Sequence, residues 1–288
     1  MKALSRHEPT LNEGIDLPAA SRVRLRSARR LLRHKERQLV RQFLAEGRQA
    51  ISEALRRPGT VLEIIVGDDS IGRHLDLLST ASKAGVPISA APAQAMTELA
   101  ATVTPQGLIA VCQMVDVPAD EALAGRPHLV VLCDQVRDPG NLGTVIRCAD
   151  AFGADAVLVS RDSVDIYNAK AVRATTGSMF HLPLAIEIDL ADTIDLARKA
   201  GLQVLGADAS GSTVDHLARS GELTQPTLWV MGNEAWGLPP EHVVLLDRLV
   251  ALPMYGRAES LNLSTAAAVF LYASATAQHG VKRYVPHL

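Results

Sequence analysis

With 288 residues, a formal net charge of −2, 48% hydrophobic and 21% charged residues, the chain has room for one large or two ordinary domains of a soluble globular protein. No run approaches ~18 uncharged apolar residues and the N-terminal stretch has no apolar core, so neither a membrane span nor a secretory signal is expected. Cys112, Cys133 and Cys148 show neither disulfide nor metal-ligand spacing, which fits a cytoplasmic protein without a metal.

Residues 1–60 hold 14 Lys and Arg against 6 Asp and Glu, whereas the remainder holds 15 against 25. The basic end points to a polyanionic partner, although a solvated arginine-rich helix would show the same bias. Residues 1–20 lack periodicity and read as a flexible arm. Residues 21–39 carry Arg22, Arg24, Arg26, Arg29, Arg30, Arg33 and Arg37 on a partial helical stripe. Arginine's planar fork suits phosphate, so Arg22, Arg24, Arg26, Arg29, Arg30 and Arg33 are the candidate contacts to the phosphates of such a polyanion. Strands are expected at 42–45, 61–66, 86–90 and 108–115, alternating with helices at 47–57, 71–84 and 93–100. Residues 21–115 thus form a small α/β domain without a catalytic constellation. Pro118, Gly125 and Pro127 mark a linker at 116–127.

Residues 128–288 form the second domain. The run 129–133 is apolar throughout, like a strand buried on both faces. Pro139, Gly140 and Gly143 predict a tight loop, followed by a helix over 144–152. Strands follow at 154–160, 182–188, 203–207, 227–231 and 249–252, with helices at 164–173 and 191–200. The stretch 263–272 is alanine-rich and helical, and Ser260, Asn262 and Ser264 are types whose side chains can cap its N-terminal end.

Three strand ends therefore carry polar, glycine-containing loops, at 134–147, 232–237 and 253–262. In a parallel sheet all three lie on one edge, where open α/β folds bind ligands. Dinucleotide, P-loop, zinc-protease and nucleophile-elbow patterns are missing. That argues against nicotinamide redox, P-loop phosphoryl transfer, zinc hydrolysis and serine-hydrolase chemistry.

Asn141-Leu142-Gly143-Thr144-Val145-Ile146-Arg147, the stretch 231–238 and the stretch 252–264 together resemble, in order, the three motifs of the SpoU/TrmH branch of the SPOUT RNA methyltransferases. The likeness covers about residues 128–278. The preceding ~115 residues resemble the substrate-binding domain of large-subunit rRNA enzymes, including the thiostrepton-resistance type. The resemblance implies an α/β fold with a parallel sheet and a C-terminal trefoil knot, S-adenosylmethionine as cofactor, transfer to a ribose 2′-oxygen of RNA, and a homodimer. Carried over, Gly232, Leu252 and Leu261, with Asn233, Met254 and Leu263, hold the cofactor. Arg147 acts in catalysis, in its own site or its partner's. Asn141 and Asn262 position ribose or phosphate, Ser260 hydrogen-bonds nearby, and Glu234 fixes Arg147 or a loop. Trp236 receives no role beyond packing. A guanidinium is a poor base, because its pKa exceeds ~12, so base and electrostatic stabiliser both stay open for Arg147. A tRNA substrate, or an RNA-binding or ribosome-assembly factor without transfer activity, are the alternatives.

Overall fold

The structure, a computed structural model, describes residues 17–100 and 105–280. The expected arm therefore lies mostly outside the described residues. Its last part is not loose: the Ala90 N–H donates to the Pro18 carbonyl and the Ala20 N–H to the Ala90 carbonyl, at 2.9 and 2.8 Å.

The N-terminal unit comprises α1 (Arg22–Arg30), α2 (His34–Val40), β1 (Gln42–Glu46), α3 (Arg48–Arg56), β2 (Val61–Gly67), α4 (Leu75–Lys83), β3 (Ile88–Ala91), α5 (Ala93–Leu99) and β4 (Leu108–Gln113). Its sheet runs β1-β4-β2-β3, with β4 antiparallel to both neighbours and β2 parallel to β3. The basic segment breaks into two helices. Ser21 caps the first through the Arg24 N–H, and Ala28 and Leu31 turn into a small core with Leu44, Ile65 and Met96.

The second unit comprises α6 (Ala119–Ala122), β5 (Leu129–Cys133), α7 (Pro139–Ala151), β6 (Ala156–Ser160), α8 (Ala169–Thr175), β7 (Leu184–Ile188), α9 (Leu190–Lys199), β8 (Gln203–Thr213), α10 (Val214–Ser220), β9 (Thr227–Met231), α11 (Pro240–Val243), β10 (Arg248–Ala251) and α12 (Leu263–His279). Its six strands are all parallel, in the order β10-β8-β9-β5-β6-β7. After β5 the chain builds to one side as β6 and β7, then crosses to build β8, β9 and β10 on the other. The boundary between β5 and β9 is thus the switch point, where the carboxyl ends of strands leave a crevice.

Two expectations change here. Pro139, Gly140 and Gly143 are not a loop but the opening turns of α7. Asp138 caps this helix by accepting the Asn141 N–H at 2.8 Å, and Pro139 takes the first helical position, where its missing N–H costs nothing. Gly143 instead serves packing: a Cβ there would lie 2.4 Å from the Ala171 carbonyl oxygen and 2.7 Å from the Ala174 Cβ, so α7 and α8 meet backbone to backbone. The helix expected at 164–173 begins only at Ala169, because Asn168 caps it.

The expected linker is packed too. Asp116 accepts from Arg41 and from the Tyr167 hydroxyl, both at 2.6 Å, and the Val117 N–H donates to the Leu184 carbonyl at 2.8 Å. The Phe43 ring packs on Tyr167 with centroids 4.7 Å apart, and Arg37, a buried side chain, pairs with Asp165. One apolar core runs from Phe43, Ile51 and Ile64 into Leu142, Met179 and Phe180.

Candidate active site

At the end of β9 the backbone folds back on itself. The Asn233 N–H donates to the Gly237 carbonyl at 2.9 Å, and the Gly237 N–H returns to the Asn233 carbonyl at 3.0 Å. Gly237 has φ +70°, and a Cβ on Gly232 would sit 2.6 Å from the Gly237 carbonyl carbon, so this turn needs both glycines. Asn233 holds the turn against the β5 end by donating to the Gln135 carbonyl at 2.7 Å.

Glu234 then joins the motifs. Its carboxylate accepts the Arg137 N–H (3.1 Å), the Asp138 N–H (3.2 Å) and the Asn141 side-chain amide (3.1 Å). The Asn141 oxygen accepts from the Asn262 amide at 2.8 Å. The Asn262 oxygen caps α12 through the Ser264 and Thr265 N–H groups, at 2.9 and 3.4 Å. The N-termini of α7 and α12 are thereby tied together at one edge of the sheet, and both present positive dipole ends. Burial pushes the Glu234 pKa up, but hydrogen bonds from Asn141 and the Arg137 N–H outweigh it and hold the carboxyl below its usual range. Glu234 therefore fixes a loop. It makes no bond to Arg147.

Beside this chain of bonds lies a cavity of about 320 Å³, within the range of small-molecule sites. All six residues expected to hold the cofactor line it: Gly232, Asn233, Leu252, Met254, Leu261 and Leu263. Glu234 and Ser260 line it as well. Asn141 and Asn262 stand next to it through their bonds to Glu234 and to one another. Arg147 does not. It is exposed on α7, roughly 9 Å along the axis from Asn141 and roughly 120° round the helix, and has no hydrogen-bond or ion-pair partner among the described residues. Trp236, expected to pack, is 58% exposed.

Sequence reading missed Ala207, Asp208 and Ala209, which line the cavity from β8, and Phe270, which lines it from α12. Ala207 was expected only as the last residue of a strand, and nothing was assigned to Asp208 or Ala209. Of the six arginines expected to bind RNA, three are engaged within the chain: Arg24 with Glu63, Arg29 with Glu98 and Arg30 with Glu36. Arg22, Arg26 and Arg33 form no ion pair among the described residues. Among those residues no group of three or more His, Cys, Asp or Glu could hold a metal ion.

Residues 128–272 match the SpoU rRNA methylase family, and residues 44–118 match the RNA 2′-O ribose methyltransferase substrate-binding family. The chain belongs to the SpoU family of RNA methylases. It is 33% identical, over 89% of its length and 97% of the relative's, to the 23S rRNA (guanosine(2553)-2′-O)-methyltransferase of Bacillus subtilis. It is also 33% identical to the 23S rRNA (uridine(2479)-2′-O)-methyltransferase of Streptomyces viridochromogenes, over 91% and 94% of the two chains. Among solved structures, the AdoMet-bound rRNA methyltransferase of Sinorhizobium meliloti superposes with a TM-score of 0.77 at 28% identity, covering 90% of this chain and 96% of that one. The AdoMet complex of the SpoU methyltransferase AviRb from Streptomyces viridochromogenes gives 0.75 at 30%, covering 88% and 97%. The cofactor of this SpoU methylase is S-adenosylmethionine, and its chemistry is 2′-O-methylation of RNA. The cavity fits that cofactor: Leu252, Leu261, Leu263 and Phe270 line it with apolar groups, Asp208, Glu234 and Glu259 with acidic ones, and Gly232 and Gly237 with backbone alone.

Proposed function

We propose that this chain methylates a ribose 2′-hydroxyl of large-subunit rRNA, as a cytoplasmic homodimer. The observation that carries the chemistry is the Glu234–Asn141–Asn262 chain of hydrogen bonds, which joins the three motifs at the rim of the cavity. The rRNA substrate rests on the relatives, two of which are named for 23S rRNA. When bound, S-adenosylmethionine supplies an electrophilic methyl group. The residues of this chain do the rest. Gly232, Leu252 and Leu261 hold the cofactor, Asn141 and Asn262 orient the ribose or its phosphate, and Ser260 adds a hydroxyl at the same rim.

Arg147 is the catalytic residue of this reading. It orients a phosphate and stabilises charge developing on the 2′-oxygen rather than taking its proton, because a guanidinium stays protonated. Its place away from its own cavity supports action in the site of a second copy. So does an exposed apolar stripe on α12, which packs on α7: Val269 and Tyr272 are 40% and 58% exposed, with Tyr272 edge-on to Phe152 at the end of α7. The knot belongs to the same reading. It is supported by α12, which leaves the β10 edge of the sheet and returns to pack with Trp229 of β9, through Phe270 at 4.5 Å between ring centroids.

The test is transfer of label from S-adenosylmethionine to unmodified large-subunit rRNA and to bulk tRNA, with the product digested to nucleosides. Ribose label in rRNA supports the proposal, and label in tRNA alone replaces the substrate. Binding of RNA and cofactor without transfer to any RNA would leave a ribosome-assembly factor instead. Arg147→Ala is expected to lower kcat by about 10²- to 10³-fold while RNA affinity changes little.

A further inference from the structure

The end of β8 departs from its ladder at the cavity. On β10, consecutive residues Leu249 and Val250 pair with Gly206 and Ser212. Residues 207–211 therefore leave the sheet as an excursion and rejoin it at once. Gly211 makes the return possible: a Cβ there would lie 2.2 Å from the Leu249 carbonyl carbon, in solid backbone. Such a departure beside a site commonly re-aims a side chain, and here it turns Asp208 into the cavity.

One oxygen of Asp208 accepts the Ser210 N–H at 2.8 Å and the Ser210 hydroxyl at 2.6 Å, which fixes the carboxylate. The other oxygen has no hydrogen-bond partner among the described residues. It lies 3.7 Å from where a Gly237 Cβ would be, across from the turn at the end of β9. Three carboxylates line the cavity, those of Asp208, Glu234 and Glu259, and no Lys, Arg or His lines it among the described residues. Glu234 is committed to the backbone of Arg137 and Asp138 and to Asn141. Asp208 and Glu259 are left to face the ligand.

We propose that the 207–211 excursion makes Asp208, assisted by Glu259, a selectivity residue that favours the sulfonium-bearing cofactor over its neutral thioether product. S-adenosylmethionine carries one more positive charge than S-adenosylhomocysteine, and the two otherwise share adenine, ribose and amino-acid groups. A cavity to which the chain's own described residues bring fixed negative charge and no cation attracts that extra charge. The same field that helps to load the cofactor weakens the hold on the product, so release needs no separate device. The inference rests on S-adenosylmethionine occupying this cavity.

The experiment is calorimetric titration of the full chain with three ligands: S-adenosylmethionine, S-adenosylhomocysteine and sinefungin, which carries an ammonium where the cofactor has its sulfonium. Asp208→Asn is expected to weaken S-adenosylmethionine and sinefungin roughly fivefold, as one charge several ångströms away would do at an intermediate dielectric, and to leave S-adenosylhomocysteine within about twofold. Raising salt is expected to narrow the wild-type preference and to affect Asp208→Asn less. Glu259→Gln, on an exposed loop away from β8, is expected to act in the same direction, more weakly, and tests the field without touching the strand. Equal weakening of all three ligands, or no change in either variant, overturns the proposal. Failure of the wild-type chain to bind S-adenosylmethionine at all would instead overturn the cofactor assignment.

Discussion

Glu234 is the residue on which the site turns, because one carboxylate serves two backbone donors and one side-chain amide. Glu234→Ala leaves all three donors without their acceptor and frees the start of α7. The expected result is a fall in kcat of roughly 10- to 100-fold from misplaced groups, with cofactor affinity reduced less. Single-turnover kinetics alongside cofactor titration separates the two. The pH dependence follows from the same bonds. The folded pKa of Glu234 lies below its ordinary value, so its contribution to stability is present above the unfolded carboxylate range and is lost as pH falls through the folded pKa. Glu234→Gln is expected to flatten the acid limb of a plot of unfolding midpoint against pH.

At the scale of elements, the site depends on where α7 begins and how closely it lies on α8. Gly143→Ala is expected to destabilise the chain by about 1–3 kcal/mol, since the methyl meets backbone on α8 that has nowhere to go. Gly140→Ala is its control. Its Cβ meets Asp138 and the flexible end of Lys170, so the gain in helix propensity is expected to offset most of the crowding. Denaturant unfolding of the two variants decides, and equal losses would mean that the close approach of α7 and α8 is not what Gly143 provides. α12 is held from inside as well, where the fully buried Trp229 donates to Ser274 at 2.9 Å. Ser274→Ala leaves that indole N–H without an acceptor and is expected to cost about 1–3 kcal/mol.

At the scale of the whole molecule, the two sheets are joined by chemistry as well as by chain. Arg37, in the N-terminal unit, donates two hydrogen bonds to Asp165, in the second, at 3.0 and 2.5 Å, and a third to the Leu31 carbonyl at 2.8 Å. Burial raises the Asp165 pKa, but the hydrogen bonds from His34 and Arg37 outweigh it and keep the carboxyl below its ordinary value. Arg37→Ala strands a mostly buried carboxylate and is expected to cost about 3 kcal/mol, read as a lowered denaturation midpoint. RNA binding belongs to this scale too. Neutralising Arg22, Arg26 and Arg33, which form no ion pair among the described residues, is expected to flatten the slope of log affinity against log salt by roughly 2. Neutralising Arg24, Arg29 and Arg30, already paired with Glu63, Glu36 and Glu98 among them, is expected to flatten it less.

What the sequence by itself determined is local and periodic. The apolar runs of β5 and β9, the polar loops at their ends and the capping types before α12 were all legible, because strand burial and helix capping are written in neighbouring residues. The six residues from Gly232 to Leu263 that line the cavity were named from the motifs that follow β9 and β10. What only the tertiary structure decided depends on residues far apart in the chain. Pro139 and Gly143 looked like a loop because glycine and proline usually break helices. Asp138 as a cap and the backbone of α8 as a neighbour made them the start of one. Asp208 joined the cavity because a glycine three residues later meets β10, a contact without local signature. Half of the candidate RNA arginines were taken by carboxylates from other elements, since charge on a helix does not say which charges the fold will bring beside it.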